Sequence, residues 1–536
     1  MPEAPATTTA QNPEPSTPDS GSAGTTSAVA TLVGVVTRRK PETPHPAFVD
    51  DPEWLVAARW LFLIGCTALG FWNTVVAIVD ELMAQTLILY VPVLVVLALI
   101  AVIGVSWRTV DELPIYDRQT DVIVGIVVLI LALAMKYLVN PRYARAYLTT
   151  HMDLLALWLF VFGAAVLLFG LRPVARYRWV WLLLVLIFPP PVRAVVLIMG
   201  GTSLAAGFVV VLMAVAATAI AVGRTWRRKL VAALLAGAVG LVALFVLDAL
   251  GAPRNIVVPY PGLIAALATS AYMLVDYRRR GGRQWSPPEA GRISPPKVPF
   301  VGRPGLVVLL VAVLLALCPT PPVGSNYQSN RYPQLGIGEP LVVPVGWRQE
   351  SLGVYGWVSR LYGPGSVLIR QVLVQTRGNR AYDKFARPRR VVVDSVDSRR
   401  PLVLDVYPDI FRYDLSSERT SLPIEVDLSN GVRGRVWSVV DDERYLTYTV
   451  LSWRWNNGNR TQQVMLWAVD NHEPEAYFPE PRITILANMN SLMTILLRGN
   501  SVLLDTDPQL KDEALLIGLA GELIRAQLGA ARGAGA

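Results

Sequence analysis

The sequence predicts a polytopic α-helical membrane core of about nine spans followed by an extracytoplasmic α+β domain. Three observations lead there. The chain is 53% hydrophobic and 17% charged, whereas an average soluble domain carries about 25% charged residues. Its apolar residues gather, before residue 320, into runs long enough to cross a bilayer. Its basic residues flank those runs unevenly, crowding alternate connections.

Residues 1–53 are rich in Pro, Ala, Thr, Ser and Gly and carry too little apolar surface to fold, so a disordered cytoplasmic tail is expected. No basic n-region and apolar h-region open the chain, and a cleavable signal peptide is not expected. Residues 54–320 form the transmembrane domain, with spans near 55–78, 85–106, 121–139, 153–170, 178–199, 204–222, 229–250, 256–275 and 304–320. The fifth is interrupted by FPPPVR, which places three prolines and Arg193 inside an apolar run. Proline removes a backbone donor, so this span should end early, its triproline leading into a re-entrant or interfacial piece.

Orientation follows from the alternation of basic connections. One set holds Arg38, Arg39 and Lys40, Arg108 and Arg118, Arg172, Arg176 and Arg178, the RTWRRK loop and the basic loop 277–303. The opposite set holds only Arg142, Arg145, Arg193 and Arg254. The N-terminus is therefore expected in the cytoplasm of a bacterial cell, the core in its plasma membrane, and residues 321–536 outside. Scarce lysine among abundant Ala, Val, Leu and Arg suggests a high-GC bacterial genome.

The net charge of +9 could suggest nucleic acid. The basic residues, however, lie beside apolar spans and form no patch interleaved with aromatics, so no nucleic-acid partner is expected. Cys66 and Cys318, both in apolar runs, leave the soluble region without a disulfide or thiolate metal site. His45, His151 and His472 are scattered, so neither metal nor cofactor is expected.

In the exported region, SVLIRQVLVQT, RRVVVDSVD, PLVLDVYP and VRGRVWSVVD read as strands. RYLTYTVLSWRW and RTQQVMLWAVD form a hairpin turned by Asn457-Gly458. ITILANMNSLMTILL and DEALLIGLAGELIRAQL read as helices, the second with Leu516, Leu519, Leu523 and Ile524 on one face. The PTPPVG stretch tethers this domain to the core. It has no nucleophile elbow, paired-cysteine site or Walker loop. Its ERT, DDER and DTD carboxylates read as solvated surface. Trp453, Trp455 and Trp467 could stack on sugars, although cross-strand core packing is the simpler use of them.

The polar residues of the outer face need a reason, because charge there opposes the topology. Arg254 reads either as a helix-end residue reaching lipid headgroups, paired with Asp248, or as an anchor for an anion. His151 with Asp153 reads as a helix start or as an acid/base opposite Arg254. Arg193 should line a polar site rather than face lipid, and Arg142 and Arg145 join the candidate substrate-binding set.

The membrane half, over roughly 140–276, resembles the exosortase/archaeosortase family. LALWLFVFGAAVLLFGLRPVARYRWVWLLLVLIFPPPVR is similar to its glycine-containing span, basic loop and Pro-rich segment. GRTWRRKLVAALLAGAVGLVALFVLDALGAPRN is similar to its Trp-Arg-Arg loop and to the span ending in an outward arginine. VLSWRWNNGNRTQQVMLW and LLDTDPQLKDEALLIGLAGELI resemble the associated periplasmic domain. The resemblance implies a transpeptidase-like site of cysteine, arginine and histidine that processes C-terminal sorting signals. Arg254 fits the arginine. The cysteine position falls near GGTSL, which offers Thr202 and Ser203 but no thiol, and IVVPYPG offers Tyr260 where a histidine is expected. DVYPDIF keeps Pro408 of a His-x-Pro-x-x-Cys motif without its reactive residues.

Both halves thus lack the family's reactive groups, which leaves Arg254, His151 and Ser203 as candidate catalytic residues, and peptidase activity is not expected. The leading expectation is a divergent or non-catalytic envelope protein. It would act in protein sorting or polysaccharide export, binding secreted protein tails or lipid-linked glycans. The alternatives are a lipid-linked glycosyltransferase or acyltransferase, for which VDELMAQ supplies Asp80 and Glu81, and a secondary transporter.

Overall fold

The computed structural model describes residues 53–107, 118–222, 225–279, 302–319, 330–413, 415, 418–473, 475–482, 493, 496 and 504–533. All of them belong to one compact unit, Pro52–Ala536. The expected tail, most of the 277–303 loop and the PTPPVG tether, and nearly all of ITILANMNSLMTILL, lie outside the described residues.

Among the described residues, seven helices are long and apolar enough to cross a membrane. In the first half these are Leu87–Ser106, Arg118–Ala144, Met152–Phe169, Ser203–Val222, Trp226–Ala249 and Arg254–Arg279. Arg303–Leu317 is apolar but only 15 residues long. The segments expected near 55–78 and 178–199 are each two helices. α1 (Glu53–Gly70) meets α2 (Trp72–Met83) at 77°, and the helix Arg178–Ile187 meets Pro189–Ile198 at 70°. The seventh long apolar helix, Glu513–Arg532, belongs to the sheet domain.

Each bend has a local cause. At the second, Pro189, Pro190 and Pro191 open the new helix, where proline is tolerated because the first turn has no use for its missing donor. The carbonyl of Ile187 freed there accepts the Tyr90 hydroxyl at 3.4 Å. At the first, no proline intervenes. Lys136 instead donates its ammonium to the Gly70 carbonyl at 2.9 Å and lies 4.5 Å from the centre of the Phe71 ring. A freed carbonyl in apolar surroundings must find such a donor. Lys136 itself sits in a single π-helical turn, Met135–Val139.

Small residues set the helix spacing. A Cβ added to Gly163 would stand 3.1 Å from the Gly125 carbonyl, so the helices Arg118–Ala134 and Met152–Phe169 cross with their backbones nearly touching.

The C-terminal part is one ten-stranded sheet. Its strands are β1 (Asn330–Arg331), β2 (Trp347–Tyr355), β3 (Leu368–Gln375), β4 (Arg390–Ser398), β5 (Arg419–Ser421), β6 (Ile424–Asp427), β7 (Arg433–Asp441), β8 (Leu446–Asn456), β9 (Thr461–Val469) and β10 (Leu504–Asp505). The main order is β10-β5-β7-β8-β9-β4-β3-β2, antiparallel except for the β10–β5 edge, with β1 parallel to β8 and β6 on β7. β8 and β9 are the expected hairpin, with Asn457 Oδ1 accepting from the backbones of Asn459 and Arg460 and Gly458 at φ 93°.

Alternation along β9 gives the sheet two apolar faces. Val464, Leu466 and Ala468 pack with Trp453 and Trp455 under the helix Glu513–Gly533, whose Leu516, Leu519, Leu523 and Ile524 are all buried. Met465, Trp467 and Val469 pack on the other side with Tyr413 and Tyr448. The three tryptophans are at most 1% exposed, so they are core and not a sugar platform.

One expected strand is a correction. In PLVLDVYP, Val403–Val406 is a helical turn. Pro401 opens it, with Leu404 N bonding to the Pro401 carbonyl, and Val403, Leu404 and Val406 are buried against membrane-half residues rather than paired in the sheet. A short apolar run has no periodicity to separate a strand from a buried turn.

Candidate functional site

The helix ends that meet this turn carry a cluster of buried polar side chains. Glu81 lies near the end of α2, whose 77° bend carries it in, and is fully buried. Its Oε1 contacts His151 Nε2. Its Oε2 accepts the Thr86 hydroxyl at 2.7 Å and stands 3.5 Å from Arg193 Nη2. On the other side of the imidazole, His151 Nδ1 is 3.5 Å from Asp153 Oδ1, and Asp153 Oδ2 accepts the Tyr147 hydroxyl at 2.6 Å. Glu81, His151 and Asp153 are 0% exposed and Arg193 is 1% exposed. Two carboxylates thus bracket one imidazole, with a guanidinium beside the first.

The backbone explains how His151 reaches both acids. It joins the short helix Tyr147–Thr150 to Met152–Phe169 with left-handed torsions, φ 44° and ψ 55°. Such a conformation is uncommon for a residue with a Cβ, and strain of this kind gathers at functional sites. Its own N–H bonds the Tyr147 carbonyl at 2.8 Å, and its carbonyl accepts Leu154 N at 3.0 Å.

Arg193 comes from the helix that the triproline starts. Its Nη1 donates to the carbonyls of Leu148 and Thr149, the latter at 2.6 Å. The Thr149 hydroxyl donates in turn to the Val406 carbonyl at 2.7 Å. The corrected turn of the sheet domain therefore closes directly over the cluster. Arg400, just before that turn, holds Gln85 through Nη2 to Oε1 at 2.5 Å, and Tyr143 donates to the Leu496 carbonyl at 2.6 Å. Tyr407 is buried here, and burial pushes its phenol up, while Arg193 and Arg254, both within electrostatic reach of it, pull it back.

Beyond these ion pairs, the buried Arg193 Nε and Arg254 Nε have no hydrogen-bond partner. A buried polar group without a partner costs about 1–3 kcal/mol. These two guanidinium donors are left over for a polar ligand. Among the described residues no group of three or more His, Cys, Asp or Glu side chains is placed to hold a metal ion.

The expected residues divide. His151, Asp153 and Arg193 are brought together through Glu81, and Arg254 lies in electrostatic reach of Tyr407 above them. Arg254 opens the short helix Arg254–Val257, which sits close because Gly207 leaves room: a Cβ there would be 2.7 Å from the Val257 carbonyl. Ser203 starts its helix without a hydrogen bond to His151, whose nitrogens face carboxylates. Asp248 is exposed and forms no ion pair with Arg254 among the described residues, and Arg142 is exposed. The side chain of Arg145 lies outside the described set. Both cysteines are buried elsewhere, Cys66 among apolar helices and Cys318 with its thiol 3.5 Å from the Lys136 carbonyl.

Two residues lie outside the site that the sequence predicts: Glu81, in the cluster itself, and Lys136, which holds the bend that carries Glu81 in. Glu81 entered only through the alternative enzyme class. Lys136 is visible in the sequence as a lysine inside LILALAMKYLVN, and an ionisable residue in an apolar run is a functional signal by default. No protein-family model, curated protein or solved structure matches this chain.

Proposed function

We propose that this chain is an exosortase-like integral membrane protein of the bacterial cell envelope. Its cluster around His151 and Arg193 binds a substrate at the outer face of the plasma membrane, beneath the exported sheet domain. It acts in protein sorting or in envelope polysaccharide assembly and export, without the thiol chemistry of its resembled family. The observation that carries this reading is the buried Glu81–His151–Asp153 bridge beside Arg193, closed over by the turn Val403–Val406. Neither cysteine is part of it, which leaves no thiolate for an acyl-enzyme.

A second reading has a specific observation in its favour. Glu81 at the centre, hydrogen-bonded on both oxygens, is the acidic residue that an envelope glycosyltransferase or acyltransferase would need. A carboxylate paired with an imidazole can move a proton between substrate and leaving group.

The test is complementation of a gene-deleted strain, scoring envelope polysaccharide export and the processing of secreted protein tails. Arg193→Gln, His151→Ala and Arg254→Ala should each abolish complementation at normal protein level, while Asp248→Asn and Arg142→Gln, at exposed positions, should complement fully. Loss with Glu81→Gln alongside a silent Arg254→Ala would favour the transferase reading. Full complementation by Arg193→Gln and His151→Ala together would overturn both.

A further inference from the structure

Three guanidinium groups, Arg193, Arg254 and Arg400, gather where the two halves of the chain meet, and among the described residues only Arg193 has a carboxylate partner, Glu81 Oε2 at 3.5 Å. Arg193 is 1% exposed, spends Nη1 on two backbone carbonyls, stands with Nη2 3.5 Å from Glu81 Oε2, and keeps Nε without a hydrogen-bond partner. Arg254 has a buried Nε with no partner and no ion pair among the described residues. Arg400 is half-buried and is held by the neutral amide of Gln85 rather than by a carboxylate. Gln85 adjoins Thr86, whose hydroxyl is on Glu81, so Arg400 and Arg193 approach the same short segment from opposite domains. Arg254 is near enough to Arg400 to be repelled by it, and near enough to Tyr407 to act on its phenol.

Like charges held together inside a protein raise its energy unless an anion joins them. Of the two nearby carboxylates, Asp153 is engaged by Tyr147, and Glu81, already bonded to His151 and Thr86, is the single anion beside Arg193, which leaves the charge of Arg254 and Arg400 unmatched. The planar fork of arginine suits the oxygens of a phosphate, and several forks suit a doubly charged one. The position also selects the carrier. The cluster lies at the ends of apolar helices, where lipid headgroups sit; the exposed Val195, Ile198 and Met199 follow Arg193 along the chain, and the exposed Leu250 precedes Arg254.

We propose that Arg193 and Arg254 from the membrane half, with Arg400 and the Tyr407 phenol from the sheet domain, form a subsite for the terminal phosphate of a membrane lipid. The inference rests on the outward binding site proposed above and deepens it by naming the ligand class. Both halves of the chain supply donors, so the phosphate also ties the sheet domain to the helices.

The experiment uses the full-length protein in nanodiscs of phosphatidylcholine. Phosphatidic acid, a phosphate monoester lipid, is compared with phosphatidylglycerol, a diester, with oleic acid, a carboxylate, and with free inorganic phosphate. Retained lipid is read by native mass spectrometry and by thermal shift. Phosphatidic acid should be retained at least tenfold better than phosphatidylglycerol or oleic acid and should raise the melting temperature, while inorganic phosphate should give a much smaller shift. Arg400→Gln and Arg254→Gln should each cut retention tenfold or more, with Arg400→Lys recovering part of it. The variants' tryptophan fluorescence should match wild type, which separates lost binding from lost folding. Equal retention by the Arg254→Gln/Arg400→Gln double variant overturns the subsite. Inorganic phosphate matching the lipid overturns the lipid assignment, and preference for oleic acid points instead to a carboxylate such as a protein tail and overturns the phosphate. Failure here with intact dependence on His151 and Arg193 in cells would sink this inference alone.

Discussion

His151 combines an unusual backbone with a fully buried ring, and the two can be separated experimentally. Glycine adopts left-handed torsions freely, whereas alanine at the same φ of 44° keeps the Cβ strain. Both substitutions remove the imidazole and leave Glu81 and Asp153 facing each other without it. The difference between them therefore isolates the backbone. His151→Gly should be more stable than His151→Ala by about 1 kcal/mol in thermal or denaturant unfolding. Both should lose function to the same degree. An alanine variant as stable as the glycine one would show that the torsions relax once the ring is gone. The residue's importance was legible in the sequence as a histidine and an aspartate beside the start of an apolar run. Its carboxylate bracket was not, because Glu81 reaches it only through the bend at Phe71, which no proline marks.

At the scale of elements, the sheet domain holds one loop by a single carboxylate. Asp383 Oδ1 accepts the backbone N–H groups of Phe385 at 2.7 Å and Arg387 at 3.1 Å, while Oδ2 meets His472 Nδ1 at 2.6 Å and the Arg387 side chain. This pins the loop before β4 to the end of β9. The Arg387 backbone N–H, aided by His472 and the Arg387 guanidinium, holds the Asp383 carboxyl well below the usual carboxylate range. A depressed folded value stabilises the protein above the unfolded value of about 3.9 and is lost as pH falls through the folded one. Asp383→Asn should therefore lower the melting temperature at pH 7, and the gap to wild type should close as pH drops below about 4. A gap that stays constant with pH would mean the carboxylate charge is not what holds the loop. The elements themselves divide by how strongly they are patterned. The hairpin around Asn457-Gly458, the long apolar helices and the helix Glu513–Gly533 follow their periodicity. β2 and the turn Val403–Val406 escaped it, the first because it is mostly exposed and reads as polar, the second because its burial comes from the membrane half.

For the whole molecule, the sheet domain and the helix ends form one compact unit. Residues from both share a core that includes Tyr90, Tyr147, Leu197, Val396, Val406 and Tyr407. The charge asymmetry of the sequence predicts the outer face for that junction, and the proposed roles of the arginines, His151 and Glu81 depend on that orientation. Tyr445, 91% exposed on the sheet domain and far in sequence from the cluster, reads the orientation without touching the site. In a background with Cys66→Ser and Cys318→Ser, Tyr445→Cys gives the chain a single accessible thiol. A membrane-impermeant maleimide added to intact spheroplasts should label it fully, with no gain after lysis. Labelling that appears only once the membrane is broken would put the sheet domain and its cluster on the cytoplasmic side and contradict the account.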